Sequence, residues 1–314
     1  MAKIVFLDEY SLAGGNLLPI KELGDYTGYY NTLPDSVVEH CRGAEIVISN
    51  KVVLSEEVIA QLPDLRLIAV AATGMNNVDL EAAAKRGIEV RNVSGYSTTS
   101  VAEATLASAL ALLRNISYYD RFFKSGDYAQ MDTVFHFGRP ISQLRGKRWG
   151  IIGLGTIGHE VARLAEAFGC SIAYHSTSGV VREEPYQHLS LGELLATSDI
   201  VSIHAPLNAA TANLIDRAEL EQMKSSAIII NVARGGIINE EALAVALNER
   251  RIAGAALDVF STEPLRTSPL YALTDEYRLL ASPHTAWAAD NAVARLVEGI
   301  AQNIREYLAG REGC

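Results

Sequence analysis

The stretch "WGIIGLGTIGHEVARLAEAFGCSIAYHSTSG", residues 149–179, decides the fold of this 314-residue chain. Gly153, Gly155 and Gly158 follow an apolar strand and precede an amphipathic helix, after which a second apolar run begins. In such a turn the first glycine permits a tight bend and the second lets the backbone approach a pyrophosphate. The third allows the helix to pack closely on the strand. Thr156 and Ile157 would lie at the helix N-terminus, where free amides and the helix dipole favour phosphate. The stretch predicts a dinucleotide site in a doubly wound domain.

The end of the same stretch, "YHSTS", bears on which dinucleotide is bound. An NAD site commonly carries Asp or Glu about 20 residues beyond the glycines, where it accepts from the ribose 2′-OH. Here that place holds Ser176, and the next acid is Glu183. A missing carboxylate also removes the charge that would repel a 2′-phosphate. Ser176, Thr177 and Ser178 could donate to such a phosphate, with Arg182 as counter-charge. This favours NADP over NAD by a narrow margin, and loose specificity from ordinary turn residues is the alternative.

Strands and helices alternate on both sides of this stretch. Strands are expected in residues 3–8, 45–50, 65–71 and 88–93, and helices in 35–44, 55–63 and 77–87. One long helix is expected from Ser100 to Phe123, strands and helices then alternate from 148 to 258, and a last helix runs from Asp290 to Leu308. Alternation of this kind implies parallel sheets covered by helices on both faces. The fold class is therefore α/β, with two doubly wound parallel-sheet domains.

The composition excludes several classes of protein. A net charge of −10 argues against general nucleic-acid binding, which relies on a basic surface. No apolar run is long enough to span a membrane, and "MAKIVFLDEY" suits a first strand rather than a signal peptide. The three cysteines, Cys41, Cys170 and Cys314, are widely spaced, which indicates free thiols in a reducing cytoplasm and no metal site.

Three later segments place polar residues at the ends of expected strands, where open α/β sheets bind their ligands. They are "NVARGG" with Arg234, "LDVFSTEP" with Asp258 and Glu263, and "SPHTAWA" with His284. Reduction of a 2-keto acid needs a proton donor to the forming alkoxide, and His284 has the suitable ordinary pKa. A carboxylate such as Glu263 on its other ring nitrogen would fix the tautomer. Arg234 could hold a substrate carboxylate in a fork that Lys cannot reproduce.

Nearly the whole chain resembles the D-isomer-specific 2-hydroxyacid dehydrogenase family, through "GLGTIG", "HAPLNAATANLI", "NVARGGIINEEAL", "DVFSTEP" and "SPHTAWA" in the family's order and spacing. The resemblance implies that Arg234 binds substrate, that Glu263 and His284 form the acid/base pair, and that Asp258 lies near the nicotinamide. It further implies that the cofactor is lined by His204, Ala205, Pro206, Val232 and Ala233.

The resemblance also implies the domain organisation. A flavodoxin-like substrate-binding domain would comprise residues 1–100 and 288–314, with a Rossmann coenzyme domain, residues 101–287, inserted into it. "AATGMNNVDL" resembles the loop whose backbone amides hold the substrate carboxylate, which indicates Thr73, Gly74 and Met75, while a plain strand-to-helix turn stays open as the alternative. Members are typically homodimers, with the long helix after Val101 near the interface.

Within the family, "SPHTAWA" is most similar to hydroxypyruvate/glyoxylate reductases, also called glycerate dehydrogenases, and Trp287 is expected to contact substrate. A formate dehydrogenase would pair its His with Gln rather than Glu263. The expected reaction interconverts hydroxypyruvate and D-glycerate, or glyoxylate and glycolate. The alternatives are another 2-hydroxy acid such as D-lactate, and an NAD(H)-sensing corepressor of the same fold.

Overall fold

The computed structural model describes residues 1–180 and 183–312, and the chain divides into two compact units. The first unit is Met1–Ser97 together with the segment that starts at Ala288, and the second is Thr98–Trp287. The first unit is thus discontinuous in sequence, whereas the second is a single stretch.

The first unit contains a parallel sheet whose five described strands have the order β2-β1-β3-β4-β5. This is the flavodoxin-like order, whose switch point lies between β1 and β3. The strands β3 and β4 are buried along their whole length because helices cover both faces. The strands are β1 (Lys3–Phe6), β2 (Asp25–Gly28), β3 (Ile46–Ser49), β4 (Leu67–Val70) and β5 (Glu89–Arg91).

The strand β2 is absent from the expectations above. Its residues, "DYTG", include no apolar run, and all four are exposed or half-buried at the sheet edge. It forms because Asp25 to Gly28 pair in parallel with Lys3 to Phe6 of β1. A polar edge strand of this kind carries little pattern of its own.

The helices of the first unit are short except for the last. Ser55 caps its helix by accepting from the Val58 N–H. The described helices are α1 (Leu18–Lys21), α2 (Val37–His40), α3 (Glu56–Ala60), α4 (Leu80–Lys85) and the long C-terminal Asp290–Glu312, with 3₁₀ turns at Glu9–Leu12 and Pro34–Ser36.

The second unit contains a parallel sheet with seven described strands in the order β12-β11-β10-β9-β6-β7-β8. Counted from its own first strand this is 7-6-5-4-1-2-3, the Rossmann order with one strand added. The fold class is therefore confirmed. The strands are β6 (Arg148–Ile152), β7 (Ser171–His175), β8 (Gln187–His188), β9 (Ile200–Ile203), β10 (Ile228–Asn231), β11 (Gly254–Leu257) and β12 (Leu279–Ala281).

The long helix expected from Ser100 to Phe123 is wrong as a single element. It consists of α5 (Thr98–Leu113) and α6 (Ile116–Lys124), separated at Asn115, whose φ of +50° is left-handed. The Asn115 side chain donates to the Pro140 carbonyl, 2.8 Å away, and this distant contact fixes the break. The other described helices of this unit are α7 (Thr156–Ala167), α8 (Leu191–Thr197), α9 (Arg217–Gln222) and α10 (Glu240–Asn248), with 3₁₀ turns at Asp127–Gln130, Pro269–Ala272 and Glu276–Arg278. The C-terminal helix of the first unit, Asp290–Glu312, is α11.

Since the described strands of each sheet are all parallel, the loops that follow their carboxyl ends lie at the same end of the sheet. In the second unit these loops include the glycine loop and the segments of Arg234 and His284. Among the described residues no helix is long and apolar enough to cross a membrane.

Candidate active site

The glycine loop joins β6 to α7 in the second unit. A Cβ at Gly153, whose φ is +90°, would lie 2.8 Å from the Ala205 nitrogen, and one at Gly158 would lie 2.5 Å from the Gly153 carbonyl oxygen. Both positions therefore require glycine. By contrast, a Cβ at Gly155 would meet no atom within 4 Å, and Thr156 beside it is exposed at the start of α7. The loop thus presents open backbone at a helix N-terminus, which is how a dinucleotide pyrophosphate is held.

His204 lies beside this loop, just past β9. The Ser202 hydroxyl accepts from the Trp149 indole N–H at 2.9 Å and contacts His204 Nε2 at 3.0 Å. The Nδ1 atom of His204 is buried without a hydrogen-bond partner among the described residues. Burial lowers the pKa of His204 to about 3, so the ring is neutral near pH 7. A neutral ring with one unused nitrogen, next to an open glycine turn, fits a dinucleotide site.

The buried neutral ring predicts an acid-sensitive second unit. In the unfolded chain the imidazole has an ordinary pKa of about 6.5 and takes up a proton as the pH falls, whereas the folded ring does not. Stability is thus lost as the pH falls from about 6.5 towards 3. Between pH 7 and pH 5 the wild-type chain should lose about 2 kcal/mol more unfolding free energy than His204→Gln. Urea titration followed by tryptophan fluorescence measures this, because Trp149 and Trp287 both belong to the second unit. Equal losses in both proteins would contradict the prediction.

The loop after β7 begins at Ser176. The Ser176 hydroxyl donates to the Val180 carbonyl at 2.8 Å and lies 3.2 Å from the Ser178 hydroxyl. The Ser176 proton is therefore already engaged within the loop. Thr177 is half-buried and Ser178 is exposed. Arg182, the expected counter-charge, lies outside the described residues.

The two residues expected to act as the acid/base pair contact each other within the second unit. His284 Nδ1 lies 2.6 Å from Glu263 Oε2, with 26% and 33% of the two side chains exposed. The other carboxylate oxygen of Glu263 accepts from the Phe260 N–H at 3.0 Å. The carboxylate is thus fixed on one side by backbone and faces the imidazole on the other. This arrangement leaves Nε2 of His284 to meet a reacting group.

The turn that carries His284 is built around Asp258. His284 has a left-handed φ of +56°, and its N–H donates to the Asp258 carbonyl at 2.8 Å. The buried Asp258 carboxylate accepts from the Ser282 hydroxyl and from the N–H groups of Thr285 and Ala286, at 2.6 to 2.9 Å. Residue Asp258, expected beside the nicotinamide, therefore has a positioning role through these bonds.

Trp287 also stabilises the turn that carries His284. Its indole N–H donates to the His284 carbonyl at 2.9 Å. A small cavity of the second unit lies next to this turn, lined by Ala104, Ser108, Val232, Ala256, Asp258 and Ser282 among others. Val232, expected at the cofactor, thus lines the same cavity as Asp258.

Arg234 stands exposed on the turn that follows β10. Buried Asn231 donates to the Arg234 carbonyl at 2.8 Å and accepts from the Ala233 N–H at 3.0 Å. A Cβ at Gly235 would lie 1.8 Å from the Phe260 carbonyl oxygen, so the Arg234 turn packs directly on the segment leading to Glu263. Asn231 and Gly235 were not identified from the sequence, although Asn at a strand end before a Gly pair is a recognisable turn signal.

The remaining residues expected at the cofactor occupy different surroundings. Ala205 is buried. Its backbone nitrogen and Cα, rather than its side chain, lie closest to Gly153 of the glycine loop. Pro206 is exposed, with its carbonyl accepting from Thr211 at 2.6 Å. Ile157 is half-buried and packs against the core of the second unit.

In the first unit, the Thr73–Met75 loop follows β4. The Thr73 hydroxyl donates to the Val93 carbonyl at 3.0 Å, and Asn92 donates to the Thr73 carbonyl at 2.6 Å. Within the described chain, the N–H groups of Gly74 and Met75 donate to no protein acceptor. The loop is therefore held in shape while two adjacent amides stay available for an anion.

Asp8 is a buried carboxylate of the first unit that sequence reasoning missed. It accepts from the N–H groups of Asn50, Lys51 and Val52 at 2.6 to 3.3 Å. Burial raises its pKa, and the three backbone bonds act in the opposite direction. It holds the loop after β3 against the end of β1, at the switch point of the sheet.

The chain is similar to known proteins of one family. Residues 106–286 match the family described as D-isomer specific 2-hydroxyacid dehydrogenase, NAD binding domain. A glycerate dehydrogenase of Methylorubrum extorquens is 36% identical over 316 residues, covering 98% of this chain and 97% of the relative.

Two solved structures are similar over the whole length. A protein from Thermus thermophilus is 32% identical with a TM-score of 0.88, covering 98% of this chain and 97% of that one. An NADPH-dependent glyoxylate/hydroxypyruvate reductase from Sinorhizobium meliloti is 26% identical with a TM-score of 0.84, covering 98% and 95%.

Proposed function

Because the chain belongs to the D-isomer specific 2-hydroxyacid dehydrogenase family, and is thereby an NAD(P)-dependent enzyme acting on a CH–OH group, we propose that it reduces hydroxypyruvate or glyoxylate. The products are D-glycerate and glycolate. One observation carries the proposal: the 2.6 Å contact between His284 Nδ1 and Glu263 Oε2, in the unit that also holds the glycine loop. The names of the two similar enzymes, glycerate dehydrogenase and glyoxylate/hydroxypyruvate reductase, support this substrate class.

The acid/base step rests on His284. When the reduced nicotinamide is bound, it supplies the hydride to the keto carbon. Glu263 accepts from Nδ1–H of His284 and stabilises the imidazolium, so Nε2–H can donate a proton to the developing alkoxide. In the oxidation direction the neutral ring accepts that proton through the same Nε2.

The substrate carboxylate has two candidate partners. Arg234 is exposed and its turn is fixed by Asn231, so its guanidinium can form a bidentate pair with a carboxylate. In the first unit, the free N–H groups of Gly74 and Met75 can bind the same kind of group. Trp287 is proposed to contact the short substrate chain.

The dinucleotide is proposed to be NADPH more readily than NADH. Gly155, Thr156 and the α7 N-terminus would hold the pyrophosphate, and the absence of an acid at Ser176 leaves a 2′-phosphate unopposed at that position. Since the Ser176 proton is engaged by Val180, we propose that Thr177 and Ser178 provide the donors.

The experiment is a matrix of short 2-keto acids against both reduced cofactors, read as loss of absorbance at the nicotinamide band. We expect hydroxypyruvate and glyoxylate to give the highest kcat/KM, above pyruvate and bulkier acids. A preference for pyruvate would replace the proposed substrate by D-lactate chemistry. Binding of the dinucleotide without turnover of any acid would favour a sensing protein.

We also propose that the protein is a cytoplasmic homodimer. The two described cysteines, Cys41 and Cys170, are buried free thiols, and burial raises their pKa values to about 12 and 11, as expected of unreactive thiols in a reducing compartment. The dimer proposal rests on the segment of residues 134–139 after α6, here called the arm. In it, Val134, Phe135 and Phe137 are 72%, 71% and 82% exposed.

The arm is held firmly although its apolar side chains face solvent. His136 stacks on Phe122 with ring centroids 3.8 Å apart and contacts the Tyr118 hydroxyl at 2.8 Å. The Arg139 guanidinium lies about 5 Å from the rings of both Tyr118 and Tyr277. A rigid patch of exposed aromatic residues is typical of a subunit interface.

The double variant Phe135→Ser/Phe137→Ser is expected to shift the protein from dimer to monomer, because it removes two aromatic anchors. Light scattering after size exclusion measures the mass. Leu18→Ser, which removes an exposed apolar residue of the first unit, is the matched control and should stay dimeric. A monomeric wild type, or a double variant that remains dimeric, would contradict the prediction.

A further inference from the structure

His159 lies in the first turn of α7 and contacts two different segments. Its Nδ1 is 2.9 Å from the Gly155 carbonyl oxygen, and its Nε2 is 2.8 Å from Glu184 Oε2. Gly155 is the open glycine of the dinucleotide loop, and Glu184 comes at the end of the loop that starts at Ser176. The imidazole therefore joins the expected pyrophosphate loop to the expected ribose loop.

Both partners of the ring are acceptors. A carbonyl oxygen cannot donate, and an ionised carboxylate cannot donate either, so each ring nitrogen must carry a proton for both bonds to exist. The contacts thus select the imidazolium form of His159, paired with the Glu184 anion. Only 13% of the Glu184 side chain is exposed, so water screens its charge less than it would at an open surface.

Glu184 is a carboxylate close to the position where the usual acid is missing. That acid would stand at Ser176, just after β7, and Glu184 contacts the His159 ring that also contacts Gly155 of the glycine loop. Two neighbouring carboxylates have partners of their own, since Glu160 contacts Arg163 at 2.6 Å and Glu166 accepts from the Tyr186 hydroxyl at 2.9 Å. The contact at 2.8 Å makes His159 a cation that offsets the charge of Glu184.

We propose that His159 and Glu184 form a specificity-determining ion pair, in which His159 masks a carboxylate that would otherwise reject the 2′-phosphate of NADPH. This inference rests on the proposed use of a nicotinamide dinucleotide. With the pair intact, the charges of the two side chains offset each other and the 2′-phosphate is accepted. Removal of the cation exposes the anion and disfavours NADPH, whereas removal of the anion leaves a cation that favours it.

The two partners therefore have opposite predicted effects. His159→Gln should lower the ratio of NADPH to NADH affinity about tenfold, and Glu184→Gln should raise it about tenfold, as expected for one charge near a dianion at partial screening. Glu184→Ala provides a second variant with the same expected sign as Glu184→Gln. Glu160→Gln, in the neighbouring pair of α7, is the matched control and should leave the ratio unchanged. Ser176→Asp, which restores the usual acid, should lower the ratio and serves as the reference.

The measurement is the Kd of each reduced dinucleotide, obtained by titrating nicotinamide fluorescence without substrate, with thermal melting of each variant to verify folding. Opposite shifts in the two affinity ratios support the ion pair. Shifts of the same sign, as expected if the contact only shapes the loop, would overturn it, as would unchanged ratios. If the wild-type chain binds neither dinucleotide, the proposed function fails, independently of the ion pair.

Discussion

The variant His284→Gln is expected to lower kcat for hydroxypyruvate by about a thousandfold, within the range typical of a lost general acid. Glutamine can still donate toward Glu263, but its amide cannot deliver a proton to an alkoxide. The Kd of the reduced dinucleotide should change by less than about twofold, because the glycine loop lies on other elements. Stopped-flow reduction and fluorescence titration measure the two quantities separately.

Two further variants define what this result means. Glu263→Gln should lower kcat less than the His284 variant, because the imidazolium loses its stabilising carboxylate but the proton donor remains. His188→Gln, on β8, keeps the same substitution outside the pair and should leave kcat unaltered. A His284→Gln enzyme that retains a tenth or more of wild-type kcat would remove His284 from the proton transfer.

The parts of the fold that could be predicted are those in which the signal is local. The glycine spacing at residues 153–158 specifies its own turn, because Gly153 has a left-handed φ of +90° and Gly158 packs on the Gly153 carbonyl, within the same loop. Buried strands such as β3 and β10 are continuous apolar runs, which is the signature of a parallel sheet.

The features that could not be predicted depend on contacts between distant residues. The strand β2 consists of half-buried polar residues and is defined by its pairing with β1. The break at Asn115 depends on a bond to Pro140. The intrinsic helix and strand propensities of these residues do not reflect either contact, so tertiary packing determines both features.

The candidate site shows the same division. Glu263 and His284 could be identified because their chemistry and their position at strand ends are visible in the sequence. The role of Asp258 could not, because its donors come from Ser282, Thr285 and Ala286, 24 to 28 residues later. A carboxylate at a strand end can face a ligand or hold a neighbouring turn, and only its partners distinguish these roles.

The last large effect is expected at Arg234, where Arg234→Lys should raise KM for the keto acid by about a hundredfold. A bidentate, charge-assisted pair with the substrate carboxylate would be replaced by a single point charge on a shorter reach. The turn itself should survive, because Asn231 bonds to the backbone at residues 233 and 234 rather than to the side chain. Steady-state kinetics with saturating dinucleotide provide the measurement.

The change in kcat shows whether Arg234 only binds the substrate carboxylate or also orients the keto group. If Arg234 holds the carboxylate equally in ground and transition states, KM rises and kcat stays near its wild-type value. If the guanidinium also orients the keto group, kcat falls as well. Arg217→Lys, at an exposed ion pair on α9, repeats the substitution away from the site and should change neither constant. An unchanged KM in Arg234→Lys would leave the N–H groups of Gly74 and Met75 as the partners of the substrate carboxylate, and would exclude Arg234 from that role.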